Sequence, residues 1–244
     1  MQISLYLLLL AHAIADFVFQ KDTTVQRKNG GQFRSHLHHA FVVFVLSYLF
    51  LIPFEGLDPL YLAGLVFLIH LFLDYLKYFV DLILRKDKEG FRPITFLFDQ
   101  VLHIISLIVL NEMFALTTRP FFDNLFRELG SLEHYLATAV VYTFVVFGGA
   151  FFVRVLLDSL PSTEKQEMEN SNKGRLIGIL ERATVLTLWL TASPTSIALV
   201  LTAKSIARFK EFENRDFAEY YLIGTLASVL FAITGGIILN GIYH

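Results

Sequence analysis

Three pairs of ionisable residues recur at one spacing in this chain: His12 with Asp16, His70 with Asp74, and Asp99 with His103, each four residues apart. In an α-helix that spacing puts both side chains on one face, a turn apart. Neutral imidazole and carboxylate are both good ligands for first-row divalent metals, and two such groups on one face can grip a single ion. A further trio, His36, His38 and His39, stands where a basic loop gives way to an apolar segment. Of these, His39 is expected to turn furthest inward, His38 is equally suited to capping a helix, and His36 reads as a solvated loop residue. The candidate metal ligands are therefore His12, Asp16, His39, His70, Asp74, Asp99 and His103. Asp16, Asp74 and Asp99 are also candidate catalytic carboxylates, because one that is not engaged as a ligand can take a proton from water beside a metal.

Neighbouring polar residues are candidates for holding a substrate. Gln20 and Gln100 flank the proposed ligands and can hydrogen-bond to a ligand or to a substrate. Lys77, with Asp81, continues the His70 and Asp74 face; it either binds an anion or snorkels to the membrane interface beside its acidic neighbour. Farther along, Glu181 and Arg182 are embedded in apolar sequence, with Arg154, Asp158, Arg175, Lys204 and Arg208 at similar expected depth. Such a basic set either clamps a phosphate or serves as topology signals and structural ion pairs. No Walker loop, dinucleotide fingerprint, GxSxG elbow or HExxH motif occurs.

The elements that must position these groups are apolar. Hydrophobic residues make up 55% of the 244, Phe alone accounts for 25, and mean hydropathy is +0.58, which exceeds the apolar share of a soluble domain. Apolar runs fall at about 3–20, 38–54, 60–84, 94–116, 134–157, 176–190, 193–207 and 217–243. Against the roughly 20 apolar residues that a membrane helix needs, they suggest an all-α, polytopic membrane protein of about eight transmembrane helices. The first run resembles a secretory signal in its small residues, but no Lys or Arg precedes Leu5 and the run continues to Gln20, so it is expected to be retained as a helix. Basic residues mark alternate loops: Lys21, Arg27, Lys28 and Arg34 in the first, Arg85, Lys86, Lys88 and Arg92 in the third, Lys165, Lys173 and Arg175 in the fifth, Lys204, Arg208, Lys210 and Arg215 in the seventh. The positive-inside rule then places these loops in the cytoplasm and both termini outside it.

The organisation expected is a front membrane half, 1–158, carrying the His/Asp cluster, a polar cytosolic linker, 159–173, and a back membrane half, 174–244. Asp16, Asp74 and Asp99 all fall towards the cytoplasmic side. A charge at the centre of a membrane helix costs roughly 3 kcal/mol on insertion scales, so several of them require compensation. A divalent metal would supply it. The alternative is that His-Asp hydrogen bonds join the helices, with or without a proton relay. There is no Cys, which removes disulfides, thiolate ligands and thiol nucleophiles, and the net charge of -2 gives no reason to expect a nucleic-acid partner.

The motifs His12-Ala-Ile-Ala-Asp16-Phe-Val-Phe-Gln20, His70-Leu-Phe-Leu-Asp74 and Asp99-Gln100-Val-Leu-His103 resemble a bacterial membrane family known as domain of unknown function 3307. The back half is similar to the carboxy-terminal part of longer members through Gly178-Ile-Leu-Glu181-Arg182, Ala203-Lys-Ser-Ile-Ala-Arg208-Phe and Ala218-Glu-Tyr-Tyr-Leu-Ile-Gly-Thr. More distantly, the spacing resembles that of membrane proteins predicted to be metal-dependent hydrolases, and of helical zinc phospholipases C and related nucleases. That likeness implies zinc held by His and Asp spaced in this way.

The leading expectation is a bacterial inner-membrane enzyme with a cytoplasm-facing site. One or two divalent ions, zinc first, with manganese or iron as alternatives, would act on a phosphoester or lipid-linked substrate, with Gln20, Lys77, Gln100, Glu181 and Arg182 as substrate-binding candidates. Two other functions stay open on the same residues: a divalent-cation or proton transporter or channel, and an iron oxidoreductase suggested by the His38-His39 doublet. A regulatory or scaffold role is a fourth. The bilayer is the one certain surrounding, a phospholipid or phosphorylated compound is the partner expected, and oligomeric state is open.

Overall fold

The computed structural model describes residues 2–84, 92–160 and 172–243. The basic positions Arg85, Lys86 and Lys88, and positions 161–171 of the polar linker, lie outside the described residues. Helix accounts for 87% of the described residues and no strand forms among them, so the fold is all-α. The nearest approach to a sheet is one antiparallel bridge between Phe54 and Thr118. It ties together the loops after two helices, with Glu55 N donating to Thr117 O at 2.8 Å and Arg119 N to Pro53 O at 2.9 Å.

The chain forms two compact units, Met1–Thr143 and Phe144–His244. In the first, α1 (Gln2–Ile14) runs into a π turn, Ala15–Phe19. The short helix α2 (Asp22–Asn29) follows, with 93° between the two arms. Then come α3 (Phe33–Phe50), α4 (Asp58–Leu84), α5 (Arg92–Met113), α6 (Pro120–Glu128) and α7 (Leu132–Thr143). Helices α1, α3, α4 and α5 close a ring, α1 against α3 and α5, and α4 against α3 and α5; α7 packs on α1.

Each helix of the ring turns a stripe inward whose character changes along its length. On α4 the buried stripe reads Leu62, Val66, His70, Asp74, four residues apart throughout. On α5 it reads Asp99, His103, Leu107, Asn111. The apolar stretches of these stripes meet in one core that includes Leu8, Val43, Leu62, Val66, Leu107 and Leu110. The polar stretches meet at the end of the ring where α1 finishes and α3 begins. The outward faces are apolar, with Leu68 and Phe72 on α4 and Phe98 and Ile105 on α5 exposed. A polar interior inside an apolar exterior inverts the pattern of a soluble bundle and suits a lipid surround.

In the second unit, a π turn, Phe144–Gly148, precedes α8 (Gly149–Asp158). It is followed by α9 (Asn172–Leu190), α10 (Pro194–Ala207) and α11 (Arg215–Tyr243). Helix α11 packs on α8 and α9, and α10 packs on α9.

All eight apolar runs are helical, but the count of eight crossings is not supported. Among the described residues four helices are long and apolar enough to cross a membrane: Asp58–Leu84, Arg92–Met113, Leu132–Asp158 and Arg215–Tyr243. The bent pair Ile3–Phe19 and Asp22–Asn29 makes a fifth if it is one broken span. The shortfall has identifiable causes. Helix α10 has 14 residues, about 21 Å at 1.5 Å per residue, against a hydrocarbon core of roughly 30 Å. Helix α9 carries Lys173, Arg175, Glu181 and Arg182, and α3 carries Arg34 and three His in its first half. Helix α3 also begins at Phe33, ahead of the position 38 expected from hydropathy, so the whole His trio is helical and Gln32 is the N-cap residue in place of His38.

Candidate metal centre

Asp16 lies within the π turn that ends α1, where one extra residue is inserted into the helix. Its Oδ1 is the meeting point of three imidazoles. His39 Nε2 donates to it at 3.1 Å, His12 Nδ1 lies 3.6 Å away, and His70 Nε2 lies 3.7 Å away. Gln100 bridges two carboxylates from α5, its Nε2 donating to Asp16 Oδ2 at 3.4 Å and to Asp99 Oδ2 at 3.3 Å. Four helices thus converge on one carboxylate and its neighbours.

His70 is the central ring. Its centroid lies 4.3 Å from that of His103, 5.0 Å from His39 and 5.5 Å from His12, while His12 and His103 stack at 5.2 Å. Asp74, one turn along α4, has its Oδ2 3.7 Å from His70 Nε2. The four imidazoles are at most 3% exposed and the three carboxylates at most 8%, so water does not compensate their charge and polarity.

Donor chemistry and orientation fit a divalent ion. Three trios each bring one donor atom per residue within 4.8 Å of the others: His12, Asp16 and His70; His39, His70 and Asp74; Asp74, Asp99 and His103. In His103 the Nδ1–H donates to the Asp99 carbonyl oxygen at 2.9 Å, which leaves the lone pair on Nε2. A metal-ligating imidazole is oriented in this way, by a carbonyl or carboxylate on the other ring nitrogen. That Nε2 is buried and makes no hydrogen bond among the described residues, and the same holds for His70 Nε2 and Gln100 Oε1. A buried nitrogen or oxygen without a partner is costly, and a cation ligated there would remove the cost.

Two residues join the site that the sequence reading did not place in it. Lys28, counted there as a loop charge, reaches from α2 to Asp74, with Nζ 2.5 Å from Oδ2. His36, expected to be solvated, is buried at 1% exposure. Its Nε2 lies 3.3 Å from the Lys28 carbonyl oxygen, and its ring packs edge-on to Tyr75 at 5.2 Å. His36 thereby fastens the end of the helix that delivers Lys28. The only signal for either was the proximity of a basic turn to a His-rich one, and nothing local distinguishes Lys28 from Lys21 or Arg27.

The remaining candidates divide. Gln20 belongs to the site: with its amide turned so that the nitrogen faces Asp16 O, it donates there at 3.2 Å and its oxygen accepts from Lys28 Nζ at 3.0 Å. Lys77 is paired with Asp81 at 2.7 Å on its own helix and is partly exposed. His38 faces outward on α3, so the His38-His39 doublet is split. Glu181 and Arg182 belong to the second unit and have partners there: Glu181 Oε2 takes Lys204 Nζ at 2.5 Å, and Arg182 donates from Nε to Val146 O at 3.1 Å and from Nη1 to Ser228 Oγ at 3.2 Å.

A family described as protein of unknown function, DUF3307, matches the chain over residues 4–126. The chain belongs to the DUF3307 family. The DUF3307 match takes in every member of the cluster, from His12 through Lys28 to His103, and ends within the first unit. No curated protein and no solved structure matches this DUF3307 chain.

Proposed function

We propose that this DUF3307 protein is a membrane-embedded metal-dependent enzyme, and that it hydrolyses a phosphoester or lipid-linked substrate at the inner leaflet of a bacterial cytoplasmic membrane. The observation that carries the reading is the buried convergence of four imidazoles and three carboxylates, with His70 Nε2 and His103 Nε2 left without hydrogen bonds. A zinc, manganese or iron ion held by these residues would supply Lewis acidity to a phosphoryl oxygen and lower the pKa of a bound water.

The protein residues do the rest. His12, His39, His70 and His103 present ring nitrogens from four separate helices, so the donor set is held by tertiary packing. His70 and Asp74 each belong to two of the three trios, so both would hold an ion placed in either of theirs. A carboxylate among Asp16, Asp74 and Asp99 that is not engaged as a ligand takes the proton of the attacking water. Gln100 orients the Asp16 and Asp99 carboxylates, Gln20 bears on the Asp16 carbonyl oxygen and on Lys28, and Lys77 stands one turn beyond Asp74 towards the same end as a charge for a phosphorylated substrate. Basic residues Lys21, Arg27, Lys28 and Arg34 cluster at the end of the ring that holds the site, which supports a cytoplasmic orientation for it and an outside location for the amino terminus.

Elemental analysis of detergent-purified wild type beside the His70→Ala/Asp74→Ala variant tests the reading. Stoichiometric zinc, manganese or iron, lost in a variant that still inserts in the membrane, is the expected result. Wild type that is metal-free and cannot be reconstituted would reduce the cluster to polar helix packing. Metal flux through the protein in liposomes would make it a transit site in place of an enzyme.

A further inference from the structure

The second unit holds a cavity of about 310 Å³ lined from α8, α9, α10 and α11. Its walls carry five cationic side chains, Arg154, Arg175, Arg182, Lys204 and Arg208, against one carboxylate, Glu181. Glu181 is engaged through Oε2 with Lys204, which also donates to Thr225 Oγ1 at 2.9 Å. Arg182 is braced by Val146 O and Ser228 Oγ and forms part of the frame. Arg208 is also paired with Glu211 at 3.3 Å, away from the wall. The lining itself holds more cationic than acidic side chains, which attracts an anion.

Two further groups say what kind of anion. Tyr221 lines the cavity at 8% exposure, and its hydroxyl makes no hydrogen bond among the described residues; the Lys204 ammonium lies 5.0 Å from its ring centroid. A buried phenol is a donor in want of an acceptor, which a phosphate oxygen supplies. Glu181 Oε1, also buried and without a hydrogen bond, is an acceptor in want of a donor, which a hydroxyl next to that phosphate supplies. The other walls are apolar, including Val153, Leu157 and Ile177. On the outer face of α11, Leu222, Leu226 and Leu230 are exposed, as a lipid-facing surface would be.

We propose that this cavity binds a phosphate group carrying a hydroxylated substituent, in the form of an acidic phospholipid headgroup such as that of phosphatidylglycerol. Basic pockets between membrane helices recognise acidic lipids by this combination of charge and apolar wall. The proposal is argued from the second unit alone and does not rest on the reading of the His/Asp cluster in the first.

The test uses the full-length chain in a non-ionic detergent with a fluorescent phosphatidylglycerol as tracer, displaced by unlabelled phosphatidylglycerol, phosphatidylcholine or inorganic phosphate. Displacement by phosphatidylglycerol alone is expected. Displacement by inorganic phosphate at equal concentration would keep the anion site and assign it a soluble ligand. Equal displacement by phosphatidylcholine would overturn the proposal. Arg175→Gln/Arg208→Gln, which removes charge from an exposed and a partly exposed position, is expected to weaken tracer binding by roughly tenfold or more. Tyr221→Phe, which deletes only the hydroxyl, is expected to weaken it several-fold. Both variants should keep the wild-type metal content, and unchanged tracer affinity in both would also overturn the assignment.

Discussion

Lys28 Nζ stands 2.5 Å from Asp74 Oδ2, so a lysine on the short helix α2 is paired with a carboxylate far along the chain on α4. Asp74 is buried and Lys28 is mostly covered, at 6% and 12% exposure, and Asp74 is shared by two of the three trios that could hold a metal. The ammonium therefore compensates a carboxylate that a metal ion bound in either of those trios would also reach. Helix α2 delivers this charge because α1 ends in a π turn and the chain bends by 93° after it.

Removing the lysine leaves a buried carboxylate without its cation, which costs about 3 to 5 kcal/mol in comparable pairs. Lys28→Met is accordingly expected to lower the melting temperature of chelator-treated protein, and added zinc or manganese to restore most of the loss. The double variant Lys28→Met/Asp74→Asn should melt higher than Lys28→Met alone without metal, because no unpaired charge remains. Melting of Lys28→Met that matches wild type with and without metal would show that the pair compensates nothing.

Gly31 sets the exit of α2. Its φ of +75° belongs to the left-handed region, and an added Cβ would lie 2.5 Å from Tyr78 Oη and 2.8 Å from Tyr78 Cζ. Gly31→Ala thus meets two separate penalties, a backbone one of about 1 to 2 kcal/mol and a steric one against α4. Combining it with Tyr78→Ala relieves the collision and keeps the backbone penalty. Urea or thermal unfolding of both variants should show Gly31→Ala destabilised, with the double variant less destabilised than the two single losses added together. Strict additivity would mean that Tyr78 is not in contact with this turn.

Two helical glycines should respond to the same substitution with opposite signs. A Cβ at Gly149 would lie 2.9 Å from both Arg182 Cδ and Phe231 Cδ1, whereas at Gly64 nothing lies within 4 Å. Gly149→Ala is expected to cost about 1 to 3 kcal/mol by overpacking, and Gly64→Ala to stabilise by about 0.5 to 1 kcal/mol through reduced chain entropy. Thermal unfolding of the two variants side by side checks this. Stabilisation by Gly149→Ala would show that Arg182 is not held against α8.

Much of the candidate site was legible from spacing. Helical periodicity is a local property, so His12 with Asp16, His70 with Asp74 and Asp99 with His103 share faces in any fold that keeps those segments helical. Apolar composition likewise determined an all-α chain with membrane-length helices, and the places of all eight apolar runs. The number of crossings was harder to read, because mean hydropathy merges a polar buried face with an apolar outer one, as on α3 and α9.

What only the tertiary structure decided is which turn of one helix faces which turn of another. Lys28 and Arg27 are equivalent in sequence, and the bend after the π turn carries Lys28 to Asp74. His36 and His38 are two apart, and the register of α3 in the ring buries one and exposes the other. Arg182 finds its acceptor at Val146, a carbonyl within a second π turn where the ordinary helical ladder is interrupted. Sequence determines the faces, since each depends on a few neighbouring residues; the path of the chain between helices decides which faces meet, since that depends on bends and packing spread over the whole unit.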